Sequence, residues 1–208
     1  MNIDQQPTES DAVIAATQAW LERAVIGLNL CPFAKSVHVN QRIRYFVSEA
    51  QSPAELLQDL ADELQVLQDA DPNVCETTLL IHPGVLTEFL EYNDFLREAD
   101  AVPSRLGVED EFQIASFHPD YQFADAGPDD IENYTNRSPY PMLHLLRESS
   151  ISRAVAAFPD AAMIYEKNIE TLRRIGHVGW RRLWVAEDNV QSSQRIPSSD
   201  RNKEDPRS

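Results

Sequence analysis

Cysteine is scarce. The 208 residues hold two, Cys31 and Cys75, with no CxxC or other paired spacing. That argues against a disulfide framework and makes a reducing cytoplasm the expected compartment. Long apolar runs are missing too, and none approaches the ~20 residues a membrane-spanning helix needs. The opening MNIDQQPTESD has no basic n-region or apolar h-region, so no secretory signal is expected. Basic runs are absent, and the net charge is −16. A chain of this charge without clustered Lys and Arg is not expected to grip nucleic acid. The acidic residues are spread along the chain, where they favour solubility. There is no glycine-rich phosphate loop, GxSxG elbow or HExxH.

What remains reads as a folded α/β chain. Val13, Ile14, Thr17, Trp20, Leu21, Ala24, Val25 and Leu28 recur at the helical period, predicting a helix over 11–28 capped by Thr8 with Asp11, or by Ser10. Residues 42–48 read as a strand, with Ile43, Tyr45 and Val47 on one face. Ser52-Pro53-Ala54-Glu55 is a helix start, followed by a stripe of Leu56, Leu57, Leu60, Leu64 and Leu67. A buried strand over 74–81 comes next. A helix over 85–99 follows, with Leu86, Phe89, Leu90 and Leu96 inward, and then a strand over 111–117. Pro141 is expected to start a helix carrying Met142, Leu145, Leu146, Ala154 and Val155 inward. A last helix spans 165–175, with Gly176 as its C-cap. Alternating strands and helices predict one α/β domain over 10–184, with a small, mainly parallel sheet of about three to four strands. Val37–Val39 and Trp184-Val185 are candidates for an added strand. Residues 1–9 read as a flexible leader and 185–208 as a disordered polar tail.

The strands LLI and ASF both end in His-Pro. If they run parallel, His82 and His118 share the carboxyl edge of the sheet, where open α/β sheets place ligands. Each imidazole could instead end its strand bonded to a nearby carbonyl. Beyond His118 lies a long stretch without hydrophobic periodicity. It is rich in aromatic and polar side chains, so it reads as an ordered functional loop. Within it Arg137 suits an anion, Asn136 could bond a ligand or the backbone, and Tyr134 and Tyr140 could wall a pocket. Asn133 reads as bonding the loop itself. His144 and Glu148 would share a helix face, where a carboxylate could orient the imidazole. Cys31, in GLNLCPFAK, is a candidate nucleophile or a buried thiol.

GLNLCPFAK, the strand end IHP with its following EFLEYNDFL, FHPDYQF, and NYTNRSPYPMLHLLRE resemble a family of bacterial proteins described as domain of unknown function 1415. The resemblance runs from about Thr17 to Gly176. It implies an intracellular bacterial protein and brings no activity, cofactor or catalytic residue with it. The residues themselves suggest a cytoplasmic enzyme acting on a small anionic molecule. His118, His82 and Cys31 would do the chemistry, and Arg137, Asn136, Tyr134 and Tyr140 would bind substrate. A divalent metal such as zinc could sit on His82, His118 and His144. The alternative is a non-catalytic binding module that docks a ligand or partner through the aromatic 118–140 loop.

Overall fold

A computed structural model describes residues 8–157 and 163–185. The expected polar tail, but for Val185, and the leader before Thr8 lie outside the described residues. Helix α1 (Glu9–Trp20) opens with a reciprocal cap. Thr8 Oγ1 accepts the Asp11 N–H at 3.1 Å, and Asp11 accepts the Thr8 N–H at 2.9 Å. It continues into a π-helical turn, Leu21–Ile26, and after a tight loop into α2 (Ala34–Val39). Strand β1 (Ile43–Val47) leads to α3 (Pro53–Asp69), where Ser52 accepts the Glu55 N–H and Pro53 fills the first helical position. The Glu55 carboxylate reaches the N–H of Gln51 at 2.7 Å, one residue before the cap.

After β2 (Thr77–Ile81) come α4 (Phe89–Ala99), α5 (Val102–Leu106) and β3 (Phe112–Phe117). The long loop, with a 3₁₀ turn over Ile131–Thr135, enters β4 (Met142–Arg147), and α6 (Glu148–Ala157) and α7 (Ile164–Arg182) follow.

The sheet order is β1-β2-β4-β3. β1 and β2 are parallel, and β4 is antiparallel to both of its neighbours. Strands β1, β2 and β3 therefore all point the same way, with β4 threaded between the last two. Alternating side chains split the interior into two cores. Phe46, Leu80, Leu143, Leu145, Phe112 and Ile114 meet α3, α4 and α5. Ile43, Tyr45, Val47, Leu79, Ile81 and Met142 meet α1, the π turn and α7. Leu56, Leu60 and Leu67 are completely buried. Burying each such side chain contributes roughly 1.5–3 kcal/mol.

The α/β class and the four-stranded sheet stand, but the sheet is mainly antiparallel in its pairing rather than mainly parallel, because β4 inserts between β2 and β3. Several local expectations also fail. The segment after Pro141 is a strand, not a helix, because β4 is central and carries apolar residues on both faces. His144 and Glu148 consequently share no helix face. Val155 is exposed on α6. Val37–Val39 end a short helix, and Trp184-Val185 leave α7 in a turn rather than a strand. α4 begins at Phe89, because the chain first turns through Leu86 at φ 55°. Leu90 then points outward, 76% exposed. Gly176 does not end the last helix but kinks it at φ 59°, ψ −177°. Among the described residues no helix is long and apolar enough to cross a membrane.

Candidate functional site

The common direction of β2 and β3 does bring His82 and His118 to one edge of the sheet. Tyr92 of α4 stands between them. Its ring stacks on His82 at 5.7 Å and lies 5.1 Å from His118. All three residues are 0% exposed. His82 Nδ1 lies 2.9 Å from the Val85 carbonyl, so Nδ1 carries the proton, and the buried Nε2 has no partner among the described residues. In His118 the assignment is opposite. Nδ1 accepts the Asp120 N–H at 3.0 Å, which leaves Nε2 to donate to the Leu86 carbonyl at 3.3 Å. Burial holds the His82 imidazole down to about 4 and also lowers that of His118. Both rings are neutral near pH 7 and face aromatic carbon and carbonyls.

The loop beyond β3 spends its polar groups on itself. Arg137 Nε donates to the Tyr121 carbonyl at 3.2 Å, one terminal nitrogen donates to the Pro128 carbonyl at 2.7 Å, and the guanidinium lies 4.5 Å over Tyr134. The Asn136 amide donates to the Ser116 carbonyl, and its backbone carbonyl accepts the His118 N–H. Asn133 bonds Phe123 and Gly127, as its place in the sequence suggested. Tyr134 packs on His177 and Trp180, and Tyr140 on the α1–α7 core. These residues knit the loop to the sheet edge.

His144 lies on the opposite face of the sheet from His82. The Thr77 hydroxyl donates to the Leu145 carbonyl at 2.6 Å, so His144 Nε2, 2.7 Å away, donates to Thr77. Burial lowers this imidazole as well, to about 4. Cys31 packs against the α1–α7 core, whereas His82 and His118 pack on Tyr92 and Phe89 of the α3–α4 layer. The four candidates thus do not meet. Among the described residues no three His, Cys, Asp or Glu side chains converge as a metal-ligand set.

The most site-like geometry lies between the 28–32 turn and α7, a helix in which the sequence singled out no residue. Cys31 belongs to that turn but packs into the core, outside the cleft lining. The π turn is a rare geometry that recurs at functional sites. It closes with Gly27 N–H to the Glu22 carbonyl at 2.9 Å and Leu30 N–H to the Val25 carbonyl at 2.8 Å. A Cβ at Gly27 would stand 2.3 Å from the Arg23 carbonyl oxygen, so glycine is required there. Asn29 takes a left-handed conformation, φ 55°. Buried Asn168 of α7 donates to the Leu30 carbonyl at 2.9 Å and pins this turn to the helix. Between turn and helix opens a cleft of 340 Å³. Asn29 and Pro32 form one wall, and Lys167, Thr171 and Arg174 the other, with Glu170 between the two cations. Lys167 and Arg174 are seven apart on one helix face, a cationic spacing in an acidic chain that was visible in the sequence. Only the fold shows that this face opposes Asn29.

No curated protein and no solved structure matches the chain. A family model described as protein of unknown function (DUF1415) matches residues 12–182, and the chain belongs to that family.

Proposed function

We propose that this protein is a cytoplasmic enzyme of small-molecule chemistry, and that it holds a small anionic substrate in the cleft between the 28–32 turn and α7. The carrying observation is the meeting there of a left-handed Asn29, in the turn that follows the π-helical segment, with two cations of one helix face. In a chain of net charge −16, a cleft presenting Lys167 and Arg174 is a local reversal of sign that attracts anions. Asn29, Asn168 and Thr171 supply neutral polar groups around it. Carboxylate and phosphate share the chemistry that such a wall recognises. Cys31 sits in the same turn, between Leu30 and Pro32; it packs toward the core beside the cleft lining, and this reading assigns it as the nucleophile. Both cysteines are free thiols, which accords with a reducing compartment. His82 and His118 are then the rigid support of the sheet edge.

Docking through the 118–140 loop has less support. Tyr121, Phe123, Tyr134 and Tyr140 are all partly covered, and none belongs to the exposed large apolar side chains.

The test is a titration of the isotopically labelled protein with inorganic phosphate and with citrate, followed by amide resonances. Shifts should concentrate at Asn29, Asn168 and Thr171. A Lys167→Ala/Arg174→Ala variant should bind at least about tenfold more weakly, the equivalent of ~1.4 kcal/mol. Equal affinity in that variant, or no response along α7, sinks the reading. Loss of turnover with retained binding in Cys31→Ser would separate catalysis from binding.

A further inference from the structure

We infer that the outer edge of β3 is a docking site for an extended segment of a basic partner protein, which would join the sheet as a fifth strand. β3 ends the sheet order, so one side of its backbone has no neighbouring strand among the described residues. Which residues face outward follows from the ladder. Glu148 N–H donates to the Glu111 carbonyl at 2.8 Å, and the register pairs Phe112 with Arg147. Glu111, Gln113, Ala115 and Phe117 therefore turn their backbone groups toward β4, and Phe112, Ile114 and Ser116 turn theirs to the edge. The chain itself covers both ends of that edge. The Phe112 N–H is taken by the Val108 carbonyl at 3.2 Å, and the Ser116 carbonyl accepts from the Asn136 amide at 3.1 Å. Between them the N–H and C=O of Ile114 have no partner among the described residues.

This short open edge lines a cavity of 280 Å³, bounded by Phe112, Gln113 and Ile114 and by Asp100, Pro103 and Glu109. Neither carboxylate makes an ion pair among the described residues. The Asp100 carboxyl is raised by burial, with no cation offsetting it. Asp110 and Glu111, which follow Glu109 in the chain, are exposed and add acidic charge near this end of β3. Arg105 on α5 is close in sequence but outside the lining.

Natural sheets protect open edges with charge, so acid here discourages pairing with a second copy of the same edge. It equally selects a cationic occupant. Main-chain bonds to Ile114 would give such a strand its register, and Asp100 with Glu109 would take a Lys or Arg side chain from it.

The experiment uses the full chain and a synthetic hexapeptide of alternating lysine and valine. Amide exchange at Ile114 is followed by NMR with and without it. The same peptide N-methylated on alternate amides is the backbone control. Exchange at Ile114 should slow about tenfold with the plain peptide and stay unchanged with the methylated one. Asp100→Asn/Glu109→Gln, which leaves the backbone edge intact, should weaken binding about threefold or more. Three outcomes would overturn the inference: unprotected Ile114 at saturating peptide, equal binding of the methylated peptide, or self-association through β3 in the absence of peptide.

Discussion

The hydroxyl of Tyr92 donates to the carbonyl of Met142 at 2.9 Å, in the place where the β3–β4 ladder would close. It also accepts the N–H of Phe117, the register partner of Met142, at 3.2 Å. A helix side chain thus substitutes for the last rung of the sheet. Removing it in Tyr92→Phe leaves two buried backbone groups unpaired. The cost should be about 1–3 kcal/mol in chemical denaturation. Faster amide exchange at Phe117 should accompany it, and an unchanged rate there would show that the strands had simply closed up.

Acid should unfold this protein through its buried imidazoles. His82 and His144 titrate near 4 in the fold against 6.5 outside it, and His118 is also lowered. A depressed imidazole is neutral in both states above pH 6.5, so its contribution to stability is complete there. As pH falls from 6.5 toward 4 the unfolded chain binds protons that the fold refuses, and stability drops by up to ~1.4 kcal/mol per unit for each group. His82 and His144, lowered alike by burial, should contribute comparably. Urea midpoints that stay flat between pH 6.5 and 4 would contradict this.

Arg147 should prove structural. One of its terminal nitrogens faces the carbonyls of Leu67, Ala70 and Cys75, and its guanidinium lies 5.7 Å from the centre of the Phe112 ring. It closes the carboxyl end of α3, where orphan carbonyls and the helix dipole both favour a cation. Arg147→Leu should cost roughly 1.5–3 kcal/mol. Arg147→Lys should recover part of that loss, with the denaturant slope unchanged. Full stability in the leucine variant would mean that those carbonyls find other donors.

The turn at 27–30 can be probed by size alone. Gly27→Ala places a methyl group 2.3 Å from a backbone oxygen and should destabilise by ~1–3 kcal/mol while weakening anion binding in the adjacent cleft. Asn29→Gly should be tolerated, whereas Asn29→Ala should lose about 1 kcal/mol from its left-handed backbone. Thermal melts of the three variants check this. Asn29→Gly should melt highest, Asn29→Ala below it and Gly27→Ala lowest.

Much of the architecture was legible in the chain. The capped starts at Thr8 and Ser52 and the leucine stripe of α3 are local chemistry, and all three are found. So is the shared edge for His82 and His118, which needed only that β2 and β3 run alike. The failure at MLHLLR is instructive. A strand apolar on both faces has no period to read, and leucine after a proline suggests a helix. Only the gap between β2 and β3 makes it a strand, and that gap is tertiary. The loop bonds of Arg137 and Asn136 were not legible for a related reason. Their donors could suit a ligand or a carbonyl, and the choice depends on a loop path that the sequence does not display. Lys167 and Arg174 went unremarked because solvated helix cations are ordinary until something stands opposite them.

The position of β4 has a consequence for synthesis on the ribosome. β1, β2 and β3 are made before it, yet β2 and β3 touch only through it. Until residue 147 has emerged, the central rows of N–H and C=O groups on both strands face a vacant slot. The nascent chain cannot complete its sheet from the amino end onward. It must wait for a late segment to slide between two early ones, and over that interval it depends on chaperones or speed to avoid capture by a neighbour.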